Sequence, residues 1–525
     1  MRVLGTLVLA AALLSGCAST PDTMQNADQL KVTHGFVRVT LPLGDTQSRL
    51  ALKALNGGAQ HELKRNETLG PNVFGLWLPA GSYEFPDLVS ADGGKYLAVQ
   101  VNAGQMTELG ALVPVQLGGY EVVTLPIRHA EVDADSARAL SKLSPHLSVR
   151  QALDWRPTAP PKPIKITTPS TGLGLIADLL MDYDRHVNKP SLNKRLKEQT
   201  DIGAMYRLAL TALPPLAEEP AFDDKGNLYF GADLGQVRMR AKDGSWTSLD
   251  TGTLQSITAV ASHGTRLVAG TLRGALLASD DGGRAWKQIA TSKDGEAVLG
   301  IDRVGSQWIV VTSKLTLHPM SGFSMSGQLD IHTTTRDDFG GLALSRQVKA
   351  LSAVPMNQSR SFKSKVSGNG YYVNAINEAW RLDATSLQWT PIKLPHNAST
   401  FNVSTTSGAL TASLIQGAFS KLHVSTDGGA SWQRRDTPSY PIYDVDFSSA
   451  TAGLGTRWNT GMFTASIEFL RYDAAKDRWE KTHDAPAGCA KILRDGTGAQ
   501  RYCLSSGGSI LNYIDGKWVV EFAAN

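Results

Sequence analysis

Cysteine is nearly absent from this chain: there are three in 525 residues, at Cys17, Cys489 and Cys503. No Cys-x-x-Cys occurs, and the eleven histidines show neither His-x-x-x-His nor His-x-His spacing, so the sequence gives no reason to expect a dedicated metal site or a cofactor. Charge of one sign is missing too. Fifty-two basic against forty-eight acidic side chains leave a formal charge of +4. No Lys/Arg cluster of the kind that neutralises phosphates appears, which argues against nucleic acid as a partner. After the first seventeen residues no apolar run reaches the length of a bilayer span. Asp338-Phe339-Gly340 copies three letters of a kinase signature without its companions, and Gly368-Asn369-Gly370 reads as a hairpin turn, with no phosphate loop implied.

What is present begins with a message at the amino terminus. Arg2 precedes an apolar run from Val3 to Leu14, followed by Leu14-Ser15-Gly16-Cys17, the order of a secretion signal too short to span a membrane. The tetrapeptide resembles the lipobox of bacterial lipoproteins. That resemblance implies cleavage before Cys17, lipidation of its sulfur and acylation of its new amino terminus, which together anchor a soluble domain stably. The alternative is an ordinary signal peptide cut nearby, with Cys17 incidental. Ala18 in place of aspartate implies, by the same family's sorting rule, the outer membrane of a bacterial envelope, on either face. Residues 18–30 are small and polar and read as a flexible tether.

Residues 31–128 show short alternating runs, at 35–41, 49–55, 73–78, 95–101 and 121–127, broken by Asn56-Gly57-Gly58 and Ala91-Asp92-Gly93-Gly94. Period two over about five residues predicts a small antiparallel β-sandwich. The stretch Leu76-Trp77-Leu78-Pro79-Ala80-Gly81-Ser82-Tyr83-Glu84-Phe85 resembles the edge of carboxypeptidase-regulatory-like and transthyretin-like domains, in which proline and glycine turn the chain and the tyrosine returns to the core. Residues 129–215 read as a helical and Pro-rich connector. Helices are expected at 133–144, 173–186 and 202–213, with a stiff proline stretch at 156–163.

From 216 to 525 the sequence repeats. Trp246, Trp286, Phe339, Trp389, Trp432, Trp479 and Trp518 are separated by 40, 53, 50, 43, 47 and 39 residues, which suits four-stranded blades of about 40–50 residues and predicts a seven-bladed β-propeller. Two of the aromatics close the same string, Ser-x-Asp-x-Gly-x-x-Trp, with Ser279, Asp281, Gly283 and Trp286 in one copy and Ser425, Asp427, Gly429 and Trp432 in the other. An aspartate in such a turn accepts backbone N–H bonds, glycine takes positive φ freely, and the indole fills the space between sheets. These strings resemble the Asp-box, or BNR repeat, of sialidases, sortilin-type receptors, some endoglucanases and the propeller-type assembly factors of photosystem II. Degenerate copies end at Trp246, Phe339, Trp389, Trp479 and Trp518, and they blur the boundaries of the third and fourth blades. The resemblance implies that the turn acids are structural and sit away from the axial mouth.

Cys489 and Cys503 flank Arg494-Asp495-Gly496-Thr497-Gly498 and are equidistant from Gly496. A symmetric hairpin would set them opposite one another and allow a disulfide worth about 2–4 kcal/mol in an exported chain. A reactive or metal-binding pair is the competing reading.

A sialidase-like active site would place a tyrosine with a glutamate, an aspartate and three arginines at the axial face. The Phe/Tyr-Arg-Ile-Pro string that accompanies it is missing, so no catalytic residue is assigned, and Arg273, Arg284, Arg336 and Arg457 stay open as candidates. Trp308, Tyr371, Trp380, Tyr440, Tyr443 and Trp458 are the aromatics outside the blade-closing positions. The expectation is a lipid-anchored, non-catalytic scaffold that binds another envelope protein through its propeller. The rival is a cell-surface glycan-binding protein or sialidase-like glycosidase.

Overall fold

A computed structural model of the chain describes residues 30–41, 50–127 and 221–522 with short interruptions, and scattered residues between 148 and 220. Cys17, the tether up to residue 29, the proline stretch and the expected helices at 133–144 and 173–186 lie outside the described residues. The chain divides into two compact units, one built from residues 1–41, 47–112 and 126–162, the other from residue 163 onward together with 42–46 and 113–125.

In the first unit, His34–Thr40 lies antiparallel to Val73–Pro79 and parallel to the start of Gln105–Gly118, whose other side pairs in parallel with Ser148–Gln151. A second sheet orders Gln60–Glu62, Ala51–Ala54, Gly81–Glu84 and Ala98–Val101. The unit is therefore mixed rather than purely antiparallel. Alternation marks which side chains face inward and is silent on strand direction, so the parallel pairs could not be read from it. Pro79-Ala80-Gly81 carries the chain from one sheet to the other, and Tyr83 is buried with its hydroxyl donating to the carbonyl of Pro79 at 2.8 Å. Arg38 and Glu108, register partners on neighbouring strands, form a buried ion pair.

Among the described residues of the second unit from 221 onward, seven antiparallel sheets follow one another along the chain. The first is Ala221–Phe222, Leu228–Gly231, Gln236–Arg240 and Trp246–Asp250; the others occupy residues 257–291, 297–355, 363–392, 400–435, 442–485 and 489–522. Each is an up-and-down β-propeller blade, and the domain is mainly β as expected. Every seam between consecutive sheets carries one of the seven aromatics. Trp286 packs between sheets one and two, Phe339 between two and three, and Trp389 between three and four. Trp432, Trp479 and Trp518 fill the next three seams. Trp246 lies among Phe230 of the first sheet and Tyr502 and Phe522 of the seventh, so the ring closes.

No strand is exchanged across that closing seam among the described residues. Arg240 of the first sheet instead grips Glu521 of the seventh in a two-point contact, Nε to Oε2 at 2.5 Å and Nη2 to Oε1 at 2.7 Å, and its guanidinium lies over the Tyr502 ring. Asn512 adds a bond to Glu521 at 3.1 Å. The helix expected at 202–213 spans Ile202–Thr211. Its last carbonyls meet a cation: buried Arg238 of sheet one donates to the carbonyls of Leu210 and Leu213 and to the Ser248 hydroxyl. Burial pulls the Arg238 pKa down to about 9, which leaves it charged at neutral pH and suited to a helix carboxyl end.

The third sheet departs from the repeat. Its third and fourth strands, Gly322–Thr334 and Ala343–Pro355, run past the end of the second strand, Gln307–Ser313, and carry an extra strand, Leu315–His318. Phe339 does not open a strand here. It sits in the turn with φ 58° and packs on Trp308 at 5.2 Å.

Cys489 and Cys503 are bonded to one another. They are not directly opposed: Cys489 pairs with Ser505 and Cys503 with Ile492, because the pairs Arg494–Gln500 and Cys489–Ser505 are both centred on position 497 rather than on Gly496. The symmetric hairpin is thereby corrected to a diagonal cross-strand bridge; its turn, 495–499, lies outside the described residues.

Replacing Arg240 with alanine leaves Glu521 largely buried and unpaired at the closing seam. The expected cost is about 3 kcal/mol, measured by denaturant unfolding; a change below a few tenths would mean the seam is held by Trp246 and Phe522 alone.

Candidate functional site

In a four-stranded meander the turns between strands one and two and between three and four lie at one end, and the remaining connections at the other. The Asp turns join strands three and four. Asp281 Oδ1 accepts the N–H groups of Arg284 and Ala285, both at 3.0 Å, and the Ser279 hydroxyl at 2.7 Å, while Ser279 Oγ accepts the N–H of Gly283 at 2.8 Å. Asp427 does the same with Ser431 N–H at 2.9 Å and Ser425 at 2.7 Å, and the N–H of Gly429 reaches Ser425 Oγ at 2.9 Å. Gly283 and Gly429 both have φ 93°. A Cβ there would also meet Leu249 at 2.5 Å or Ile392 at 2.4 Å in the preceding sheet. Glycine is thus required by a left-handed backbone and by close approach together.

The degenerate copies work with a displaced acid. Asp383 accepts from the N–H groups of Thr385 and Ser386, Asp473 from those of Ala475 and Lys476, and Asp243 from Ser245. The carboxyls are held below their ordinary range, Asp243 and Asp427 chiefly by serine hydroxyls and then by backbone N–H groups, Asp281 and Asp383 chiefly by backbone N–H groups, and Asp473 chiefly by the Lys476 ammonium. Such acids are committed to shape.

Among the open candidates, Arg284 and Arg336 belong to these turns, with Arg336 paired to Asp338 at 2.5 Å. Arg273 lies at the other end, buried in the turn between strands two and three of the second sheet. Arg457 faces Glu468 at 2.5 Å, and Glu468 also takes Lys481 at 3.1 Å and Asn459 at 3.0 Å. Tyr371 is fully buried between sheets three and four, and burial pushes its hydroxyl well above the usual value, the opposite of what a nucleophile needs. Trp308 is core, and Trp380 lies beneath Arg346 with the guanidinium 3.1 Å from the ring centre. Tyr440 and the side chains of Tyr443 and Trp458 lie outside the described residues. The four arginines are therefore divided between the two ends and do not converge.

A different group does converge, at the end away from the Asp turns. Asp330 and His332 are two apart on the third strand of sheet three, so their side chains share one face. Thr312 on the second strand is the register partner of Asp330. Glu296 comes from the connection out of sheet two. Its backbone is fixed by Ser292, whose hydroxyl donates to the Glu296 carbonyl at 2.6 Å and whose N–H reaches the carbonyl of Gly274 at 2.7 Å. Gly274 has φ 83°, and a Cβ on it would stand 2.0 Å from Ser292 Oγ. Donor atoms of Glu296, Asp330 and His332 all lie within 4.8 Å of one another.

Glu296 and His332 are each 7% exposed. Thr312 Oγ1 donates to Glu296 Oε2 at 2.8 Å and lies 3.3 Å from His332 Nε2. The amides of Gln328 and Gln347 donate to Asp330 Oδ1 at 2.7 and 3.1 Å. Burial lowers the His332 pKa; Asp330 and Glu296 oppose that shift and Lys293 adds to it. Sequence reading passed over this group, since its spacing tests asked for paired histidines. Asp-x-His was the available signal.

Replacing Asp427 with asparagine tests the turn acids. A carboxyl with a lowered folded pKa contributes stability above its unfolded value near 4 and loses it as pH falls through the folded value. The variant should melt below the parent at pH 7, with the gap closing under acid conditions; a gap independent of pH would contradict the assignment.

No family model matches the chain, and no curated protein matches it. Among solved structures, YCF48 from Cyanidioschyzon merolae is 16% identical with a TM-score of 0.36, covering 52% of this chain and 86% of that one. A structure of YCF48 bound to D1 peptide is 14% identical with a TM-score of 0.36, covering 52% and 81%. The GH74 xyloglucanase from Xanthomonas campestris is 14% identical with a TM-score of 0.34, and the match covers 52% of this chain and 47% of the enzyme. The propeller assignment rests on the chain's own sheets and seams.

Proposed function

We propose that this chain is a lipid-anchored protein of a bacterial envelope that binds another envelope protein through its propeller, without catalysis. The observation that carries the reading is the ribbon on the third sheet. Three strands extend past the sheet at the end opposite the Asp turns, and Leu315–His318 pairs on one side only among the described residues, with Gly322–Met325. A strand edge offers backbone donors and acceptors to an extended segment of a partner. The ring that bears it is packed at every seam by an aromatic, and the ribbon continues directly from strands of its third sheet. The lipobox-like Leu14-Ser15-Gly16-Cys17 supports the anchor, and the division of Arg273, Arg284, Arg336 and Arg457 between the two ends favours the scaffold over the glycosidase.

Cross-linking in cells followed by affinity purification of the tethered chain should recover an envelope protein. Replacing residues 315–325 with a short turn should reduce that recovery by about tenfold or more, as loss of an interface centre does. Recovery of no envelope protein, or recovery indifferent to the ribbon, would count against the reading. Cys17→Ser should move the chain from the membrane to the soluble fraction.

A further inference from the structure

Two carboxylates and an imidazole meet at the seam between sheets two and three, and the charge there is uncompensated. Among the described residues neither Glu296 nor Asp330 has an ion-pair partner, although Lys293 lies near enough to influence His332. Like charges this close, one of them buried, are costly unless a cation joins them. Their orientation is already set. Thr312 holds Glu296, and Gln328 and Gln347 hold Asp330, which is the outer-shell support that metal-binding carboxylates receive.

We infer that Glu296, Asp330 and His332 bind a divalent transition-metal ion, zinc being the occupant this donor set favours. Calcium and magnesium prefer oxygen alone, whereas one imidazole nitrogen with two carboxylates suits zinc and leaves a fourth position for water. Zinc with bonds of about 2.0–2.2 Å holds its donors closer together than the 4.8 Å limit observed, so the carboxylate arms close inward on binding. The strands supply the fixed part, since Asp330 and His332 share a face and Glu296 is anchored through Ser292 and Gly274. A bound ion would tie the connection from sheet two to the third strand of sheet three, next to the root of the ribbon. This inference is independent of partner binding.

The test uses the purified full chain, stripped with a chelator and titrated with zinc chloride by calorimetry, with bound metal counted after dialysis. One equivalent should bind and the melting temperature should rise. Glu296→Gln preserves shape and His332→Ala removes the nitrogen. Each should weaken binding about 10–100-fold or more while the metal-free melting temperature of Glu296→Gln stays near that of the parent. His423→Ala, in the fifth sheet, should bind as the parent does. Absence of zinc uptake by the parent, or uptake that neither Glu296→Gln nor His332→Ala weakens, would overturn the assignment and mark any zinc as adventitious.

Discussion

One bulky ring at each seam is the constraint on which the propeller depends. Neighbouring sheets must stay apart at the rim and together at the axis, and an aromatic entering from the fourth strand meets both demands. A buried ring removes about 150–250 Å² from water, which at about 25 cal/mol per Å² is an upper figure near 4–6 kcal/mol at each seam. Area alone has no direction. Direction comes from the indole N–H, which reaches back to the preceding sheet: Trp432 donates to the carbonyl of Lys393 at 2.7 Å, Trp479 to that of Asp436 at 2.8 Å, Trp518 to that of Asp484 at 3.0 Å, and Trp389 to the hydroxyl of Ser345 at 2.9 Å. The outer strands are therefore tied in sequence around the perimeter. The Asp turns serve this arrangement by fixing the hairpin that delivers the ring, and their glycines let that hairpin lie against the sheet before it.

Departures from the rule fall where the ring needs another solution. Trp286 donates within its own turn, to the carbonyl of Gly283 at 3.0 Å. Phe339 has no N–H to offer, and the indole of that seam is supplied by Trp308, which donates to Asp337 at 2.7 Å; Arg303 meets the same carboxylate at 3.0 Å. Trp246, at the closing seam, has a buried Nε1 without a partner among the described residues. There the directional bond is made instead by Arg240 and Glu521. Closure thus rests on a charge pair where other seams use an indole, and it joins residues 281 positions apart. Such a contact gives nothing until the two ends of the domain have been brought together, and the entropy of closing that long loop falls on this seam.

Much of this was legible because the largest residues recur. Seven aromatics at blade spacing identify seven seams, and the Ser-x-Asp-x-Gly-x-x-Trp strings identify the turns with their donors and acceptors. The longer spacings of 53 and 50 on either side of Phe339 were the trace of the third sheet's extended strands, although nothing in them showed which strands had lengthened. Other features were hidden for physical reasons. The hairpin is centred on position 497 rather than Gly496, which sets Cys503 opposite Ile492, and a count that assumes the turn's centre cannot anticipate that displacement. Parallel pairing of His34–Thr40 with Gln105–Gly118 depends on a connection whose course the alternation does not record. The site at Glu296, Asp330 and His332 escaped because register brings a residue from a loop to a strand more than thirty positions downstream.

The two ends of the sheets carry different burdens. At the Asp-turn end, carboxylates and hydroxyls are drawn into backbone bonds that any blade needs, so substitutions there act on shape first. At the other end buried polar groups bond between neighbouring sheets: Ser256 donates to Asp233 at 2.5 Å, Thr258 to the carbonyl of Val298 at 2.5 Å, and Thr312 bridges toward Glu296 and His332. Buried pairs of this kind hold one arrangement and penalise others, because each is costly to leave unmade. That end also bears the ribbon and the one convergent set of metal-type donors among the described residues. Shape-holding acids thus occupy one end, while the ribbon and the proposed ion site share the end at which buried polar bonds join neighbouring sheets.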